Sequence, residues 1–131
     1  MKYLAIDYGS KRVGIAVSDG MGSIAFPRET LSNDGKLLSN LKKLIEDEKI
    51  ERIIAGDTRT VSGEENPVTK EAEGFIEALA RETGMPVSRA FEAWSSIEAS
   101  RYYPEQKGHD DSSAAAIILQ RYLDMQGPAV R

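Results

Sequence analysis

Cysteine is absent from the 131-residue chain, and histidine occurs once, at His109. Without thiols there is neither a disulfide framework nor a thiolate zinc site, and one imidazole cannot build a histidine-rich metal centre. Any metal held here must be a hard cation bound by oxygen. Positive charge is also scarce: 17 Lys and Arg stand against 21 Asp and Glu, for a net charge of -4 and a pI near 5.1. The chain as a whole therefore exerts no long-range attraction on a polyanion, and a nucleic-acid site would have to be a local basic patch or rely on bound cations. No run of ~18 apolar residues occurs, and Asp7 breaks the opening apolar run too early for a signal sequence. These absences predict a cytoplasmic protein with no membrane contact. No repeat or low-complexity segment interrupts the chain, and 40% hydrophobic content suffices to bury one core. A single domain over residues 1–131 is expected, with residues 126–131 as a flexible tail.

What is present is organised around Ala5 to Asp19. Apolar residues run up to Asp7, a Gly9-Ser10-Lys11 turn follows, and Val13, Ile15 and Val17 alternate with Gly14, Ala16 and Ser18. That pattern predicts two strands joined by a tight turn. A carboxylate at a strand end is costly to bury unpaired, so Asp7 either caps the turn, stays wet or meets a cation.

Farther along, Ile24–Leu31 reads as a third strand, with Pro27 restricting it to an edge or a bulge. Three strands with short connections make an antiparallel meander. Asn33 or Asp34 is expected to cap a helix in which Leu37, Leu38, Leu41, Leu44 and Ile45 recur at helical spacing. Arg52–Gly56 is a short apolar strand, and the helical crossover before it predicts that it runs parallel to the first, emerging at the same edge as Asp7. Asn66 and Pro67 start a second helix with Ala72, Phe75, Ile76, Leu79 and Ala80 inward and Gly84 as its stop. Met85–Glu92 is the last strand, which carries Glu92 to the same edge. Ser95 and Glu98 offer a capping box for a short helix closed by Pro104 and holding Trp94 at its start, and Asp110-Asp111-Ser112 precede a helix from Ala114 to Met125. The order of elements is that of an α/β fold.

Three stretches carry a resemblance. Ile6-Asp7-Tyr8-Gly9-Ser10-Lys11-Arg12-Val13-Gly14-Ile15-Ala16-Val17-Ser18-Asp19 resembles the opening motif of the YqgF family, also called RuvX. Ser62-Gly63-Glu64-Glu65-Asn66-Pro67 resembles that family's Asp-Gly-x-Glu-x-Pro segment, and Asp111 to Asp124 its closing Asp-x-x-Ala-Ala-x-x-Ile-Leu-Gln-x-Tyr-Leu-Asp. The chain departs from the family where Ala55-Gly56-Asp57-Thr58 stands for Val-Gly-Leu-Pro, and where Phe91 and Ala93 replace the charged residues that flank Glu92. It departs again in a shorter Tyr103–Asp110 connection, whose positive charge is reduced to Lys107 and His109. The family is bacterial, of ribonuclease-H-like fold, and described as a Holliday junction resolvase and as the nuclease that matures the end of pre-16S ribosomal RNA. The resemblance thus implies a ribonuclease-H-like mixed five-stranded sheet, antiparallel in strands 1–3 and parallel in strands 4 and 5, flanked by helices. It also implies a metal-dependent endonuclease with Asp7, Glu92 and Asp111 as catalytic acids.

A sheet wound in this order brings two strand ends and one helix start to its carboxyl edge, the usual ligand side. Three acids so close raise one another's pKa unless a cation neutralises them, and an oxygen-only donor set suits Mg²⁺ or Mn²⁺. Two such ions clamp a phosphodiester without a Ser or His nucleophile. Asp57 is either a fourth metal ligand or a loop-capping residue, Asp111 could serve only as an N-cap, and Glu92 could pair with Arg89 or Arg101. Ser10, Lys11 and Arg12 beside Asp7 are candidate phosphate contacts, with Lys107 and His109 as further nucleic-acid contacts. The expected partner is a structured RNA precursor or branched DNA, bound by a monomer or a homodimer. Two other classes compete. A non-catalytic nucleic-acid-binding domain would fit the loss of charge at Phe91 and Ala93, and an ATP-binding phosphotransferase shares the Asp-x-Gly-Ser turn but needs two such domains.

Overall fold

The computed structural model describes residues 1–57, 67–91 and 111–125. Its elements are β1 (Tyr3–Tyr8), β2 (Arg12–Ser18), β3 (Ala25–Ser32), α1 (Leu37–Glu48), β4 (Arg52–Asp57), α2 (Pro67–Thr83), β5 (Val87–Phe91) and α3 (Asp111–Met125). The strands form one sheet in the order β3-β2-β1-β4-β5. β1 and β2 and then β2 and β3 pair antiparallel, whereas β4 lies parallel to β1 and β5 parallel to β4. This is the mixed sheet expected from the alternation of strands and crossover helices.

Helices cover both faces, which is why β1 and β2 are buried almost continuously rather than at every second residue. On one face Leu4, Ile6, Tyr8, Val13, Ile15, Ile53 and Ala55 pack with Leu37, Leu41, Leu44 and Ile45 of α1 and with Ala72, Ile76 and Leu79 of α2. On the other, Ala5, Ala16 and Ile54 pack with Ala115, Ile118, Leu119 and Leu123 of α3. The alanines on this second face let the helix approach the sheet closely.

β3 is an edge strand, and its ladder shifts register between Ile15, which pairs with Glu29, and Ala16, which pairs with Pro27. Arg28 is the extra residue of a bulge, and Pro27 sits beside it on an edge that needs fewer donors. α1 departs from the expected capping. It begins at Leu37 after Lys36, with no side-chain cap. Asn33 and Asp34 are used one turn earlier. The Lys36 amide donates to Asp34 Oδ1 at 2.9 Å and the Leu37 amide to the Asp34 carbonyl at 3.1 Å, while Asn33 is held by the β1–β2 turn. α2 stops as expected at Gly84, whose φ of +69° is left-handed and whose amide donates to the Ala80 carbonyl at 2.8 Å. The expected helix after Ser95, and Trp94 with it, lie outside the described residues.

Candidate active site at the carboxyl edge

Asp7 is the penultimate residue of β1 and is half-buried. Its position shares the alternation of Ala5, so it lies on the α3 side of the sheet, whereas Tyr8 belongs to the α1 and α2 side. Across the antiparallel ladder it faces Gly14. The parallel register, which sets Ile6 beside Ala55, brings Gly56 level with it on β4. The carboxylate is therefore flanked on both neighbouring strands by glycine, so neither strand puts a side chain beside it.

The direction of α3 follows from two contacts near its far end. The Tyr122 ring lies 6.1 Å from that of Tyr3, at the opposite end of β1 from Asp7. Gln120 accepts the Ala25 amide at 2.9 Å and donates to the Ser23 carbonyl at 3.0 Å. From Tyr122 back to Asp111 the helix covers about 16 Å at 1.5 Å per residue. From Tyr3 to Asp7 the strand covers about 13 Å. α3 thus runs antiparallel to β1, and its first residue, Asp111, starts at the same edge of the sheet as Asp7. Buried Ser112 and Ala114 follow Asp111 directly.

Ser10, Lys11 and Arg12 are exposed at the β1–β2 turn next to Asp7. The turn is tight: a Cβ on Gly9 would stand 2.5 Å from the Arg12 carbonyl oxygen, so only glycine fits. Asn33 braces it from the β3–α1 junction. Its Nδ2 donates to the Gly9 carbonyl at 2.8 Å and its backbone amide to the Lys11 carbonyl at 2.9 Å. Below the turn the Tyr8 hydroxyl donates to Glu71 Oε2 at 2.8 Å, and burial, together with the Glu71 charge, raises the Tyr8 pKa above 10.0. The sequence marks Asn33 only as a helix cap and assigns no role to Glu71. The signal that could have flagged Asn33 is weak, an amide residue one step beyond a strand that pairs with a turn-bearing strand.

Asp57 ends β4 and pairs with Phe91 of β5. Position 57 has the alternation of Ile53 and Ala55, the α1 and α2 side, opposite to that of Asp7. Glu92, Lys107 and His109 lie outside the described residues. One alternative for Glu92 is already engaged: the Arg89 guanidinium grips Glu73 of α2, Nη2 to Oε1 at 2.7 Å and Nη1 to Oε2. Among the described residues no three Asp, Glu, His or Cys side chains converge. A groove of about 360 Å³ opens elsewhere, between the C-terminal ends of α1 and α2, lined by Lys42, Lys49, Glu82 and Met85. It lies at the amino ends of β4 and β5, away from Asp7.

The chain also has relatives among known proteins. Residues 1–125 match the family described as "RuvX: Holliday junction resolvase". A protein of Oleidesulfovibrio alaskensis named "Putative pre-16S rRNA nuclease" is 35% identical over 134 residues, covering 95% of this chain and 93% of that protein. Its namesake from Chlorobium phaeobacteroides is 37% identical over 138 residues, covering 98% and 95%. Among solved structures, T. thermophilus RuvC in complex with Holliday junction substrate superposes with a TM-score of 0.65 at 13% identity, over 98% of this chain and 96% of that one. The fowlpox virus Holliday junction resolvase superposes with a TM-score of 0.60 at 13% identity, over 95% and 99%. At these identities the structural likeness speaks for the fold.

Proposed function

The chain belongs to the RuvX family of Holliday junction resolvases, and from that premise we propose that it is a nuclease hydrolysing phosphodiester bonds at the end of pre-16S ribosomal RNA in the cytoplasm. The observation that carries this reading is the placement of Asp7. It stands at the carboxyl edge between Gly14 and Gly56, with the start of α3 at Asp111 on the same edge and the exposed Lys11 and Arg12 turn beside it. An acid with glycine level with it on both adjoining strands suits the approach of a cation and a phosphate, and the basic turn supplies local positive charge in a chain whose net charge is -4.

The donors available at this edge are carboxylate oxygens, which fit a hard divalent cation. Asp7 and Asp111, with Glu92 directly after β5, would hold Mg²⁺ or Mn²⁺, which would supply charge stabilisation at the scissile phosphate. The residues of the chain do the rest. The turn from Ser10 to Arg12 binds and orients the phosphate backbone, and α3 covers the face of the sheet on which Asp7 lies.

The test is cleavage by the purified chain of a 5′-extended 16S RNA fragment and of a four-way DNA junction, each with Mg²⁺, with Mn²⁺ and with EDTA. Metal-dependent shortening of the RNA is the expected result. Binding of both nucleic acids without cutting would establish a binding domain instead. Symmetric nicking of the junction by a dimer, which requires two sites related by a twofold axis, would assign the chain to junction resolution.

A further inference from the structure

We propose that Asn33 is a positioning residue for nucleic-acid binding, one that presets the Gly9–Arg12 turn in the shape that meets phosphate; this rests on the reading of that turn as a phosphate contact. The turn holds three exposed residues, Ser10, Lys11 and Arg12, in succession. Such a segment pays an ordering cost each time it binds. Two of its carbonyls are nevertheless tied to a single residue from another part of the chain. Asn33 Nδ2 donates to the Gly9 carbonyl at 2.8 Å, and the Asn33 amide donates to the Lys11 carbonyl at 2.9 Å.

Two consequences follow. The turn is closed across its opening and its third residue, so the intervening backbone has little freedom left. The Gly9 and Lys11 carbonyls, acceptors that would repel an anion, are drawn toward Asn33 instead of toward a docking phosphate. The residue before Gly9, Tyr8, donates its hydroxyl to Glu71 at 2.8 Å and packs on Phe75 of α2 with ring centroids 5.5 Å apart. Asn33 is half-buried and neutral, so its effect passes through the turn and adds no charge of its own to the binding surface.

The experiment measures binding of a fluorescently labelled four-way DNA junction in EDTA across a KCl series, for the full chain, Asn33→Ala, Asn33→Asp, the pair Lys11→Ala with Arg12→Ala, and the triple variant. Asn33→Ala is expected to weaken binding about tenfold at every salt concentration, the upper scale for removing one hydrogen bond. The slope of log K against log salt should stay unchanged, because Lys11 and Arg12 still reach the same phosphates. Asn33→Asp, which keeps the shape but cannot donate to Gly9, should lose at least as much. In the background lacking Lys11 and Arg12, adding Asn33→Ala should change affinity by less than about twofold, since a residue that acts through the turn has nothing left to position. An undiminished effect of Asn33→Ala in that background, or a wild-type affinity for Asn33→Ala and Asn33→Asp, overturns the proposal and leaves the phosphate reading of the turn standing. Unchanged affinity and slope on removing Lys11 and Arg12 would instead overturn that reading, and the proposal with it. Thermal melts of each free variant within a few degrees of the parent show that the comparison is between folded proteins.

Discussion

Asp7 pairs with Gly14 across the β1–β2 ladder, so the antiparallel neighbour of the candidate ligand carries no side chain on the face that α3 covers. Gly56 stands level with it on the parallel side. Elsewhere on that face the sheet presents Ala5, Ala16 and Ile54 to the helix. Both sheet neighbours of Asp7 are thus glycine, at the edge where α3 begins.

Asp7→Asn keeps the shape of the side chain and removes its charge. Cleavage should fall by about two orders of magnitude or more, the scale seen when one preorganised charge-stabilising group is removed, while the melting temperature without metal stays the same or rises slightly as like-charge repulsion is relieved. Cleavage assays at saturating Mg²⁺ and thermal melts in EDTA check both, and substantial residual cleavage would remove Asp7 from the reaction.

Replacing Lys11 and Arg12 together by Ala should weaken nucleic-acid binding and reduce the slope of log K against log salt by roughly 0.7 to 0.9 for each phosphate that is no longer neutralised. A titration over a KCl series measures the slope directly. Both residues are exposed, so thermal stability should change little.

Asp57→Asn should leave the Mg²⁺ concentration for half-maximal cleavage unchanged. Position 57 alternates with Ile53 and Ala55 on the side of α1 and α2, and position 7 with Ala5 on the side of α3. A single-residue offset on a pleated strand sends neighbours to opposite faces. A clear rise in the Mg²⁺ requirement would make Asp57 a ligand despite this parity, and a lower melting temperature with unaltered metal dependence would make it a loop cap.

Asp19 provides the pH-dependent case. Its carboxylate accepts the Ile24 amide at 3.0 Å, the Ser23 amide at 2.8 Å and the Ser23 hydroxyl at 3.1 Å, and these bonds, the one from Ile24 foremost, hold its pKa below the ordinary 3.8. A depressed carboxyl contributes stability that is present above 3.8 and disappears as pH falls through the lower folded-state value. Asp19→Asn should therefore melt below the parent at neutral pH, and the gap should narrow as pH drops under 3.8. Thermal melts from neutral to strongly acidic buffer test this. A gap that is constant with pH would show that the turn relies on the shape of the side chain alone.

The sequence by itself determined what is local or periodic. The alternation from Val13 to Val17, the helical spacing of Leu37, Leu41, Leu44 and Ile45, and the left-handed stop at Gly84 depend on neighbours within a few residues. They specified the elements, and the helices between strands specified that β4 and β5 run parallel to β1. Asp7 was legible because a carboxylate at the end of an apolar run is out of keeping with its surroundings. The tertiary structure alone decided what depends on register and on contacts between distant segments. The bulge at Arg28 shifts the β3 ladder, Asn33 bonds Gly9 and Lys11 instead of capping a helix, and α1 starts at Leu37. The opposite parity of Asp7 and Asp57 arises from pairing β1 with β4 in one register, and a slip of one residue would have reversed it. Hydrophobic patterning is read one segment at a time, whereas a hydrogen bond from residue 33 to residue 9 forms only after β1, β2 and β3 have assembled.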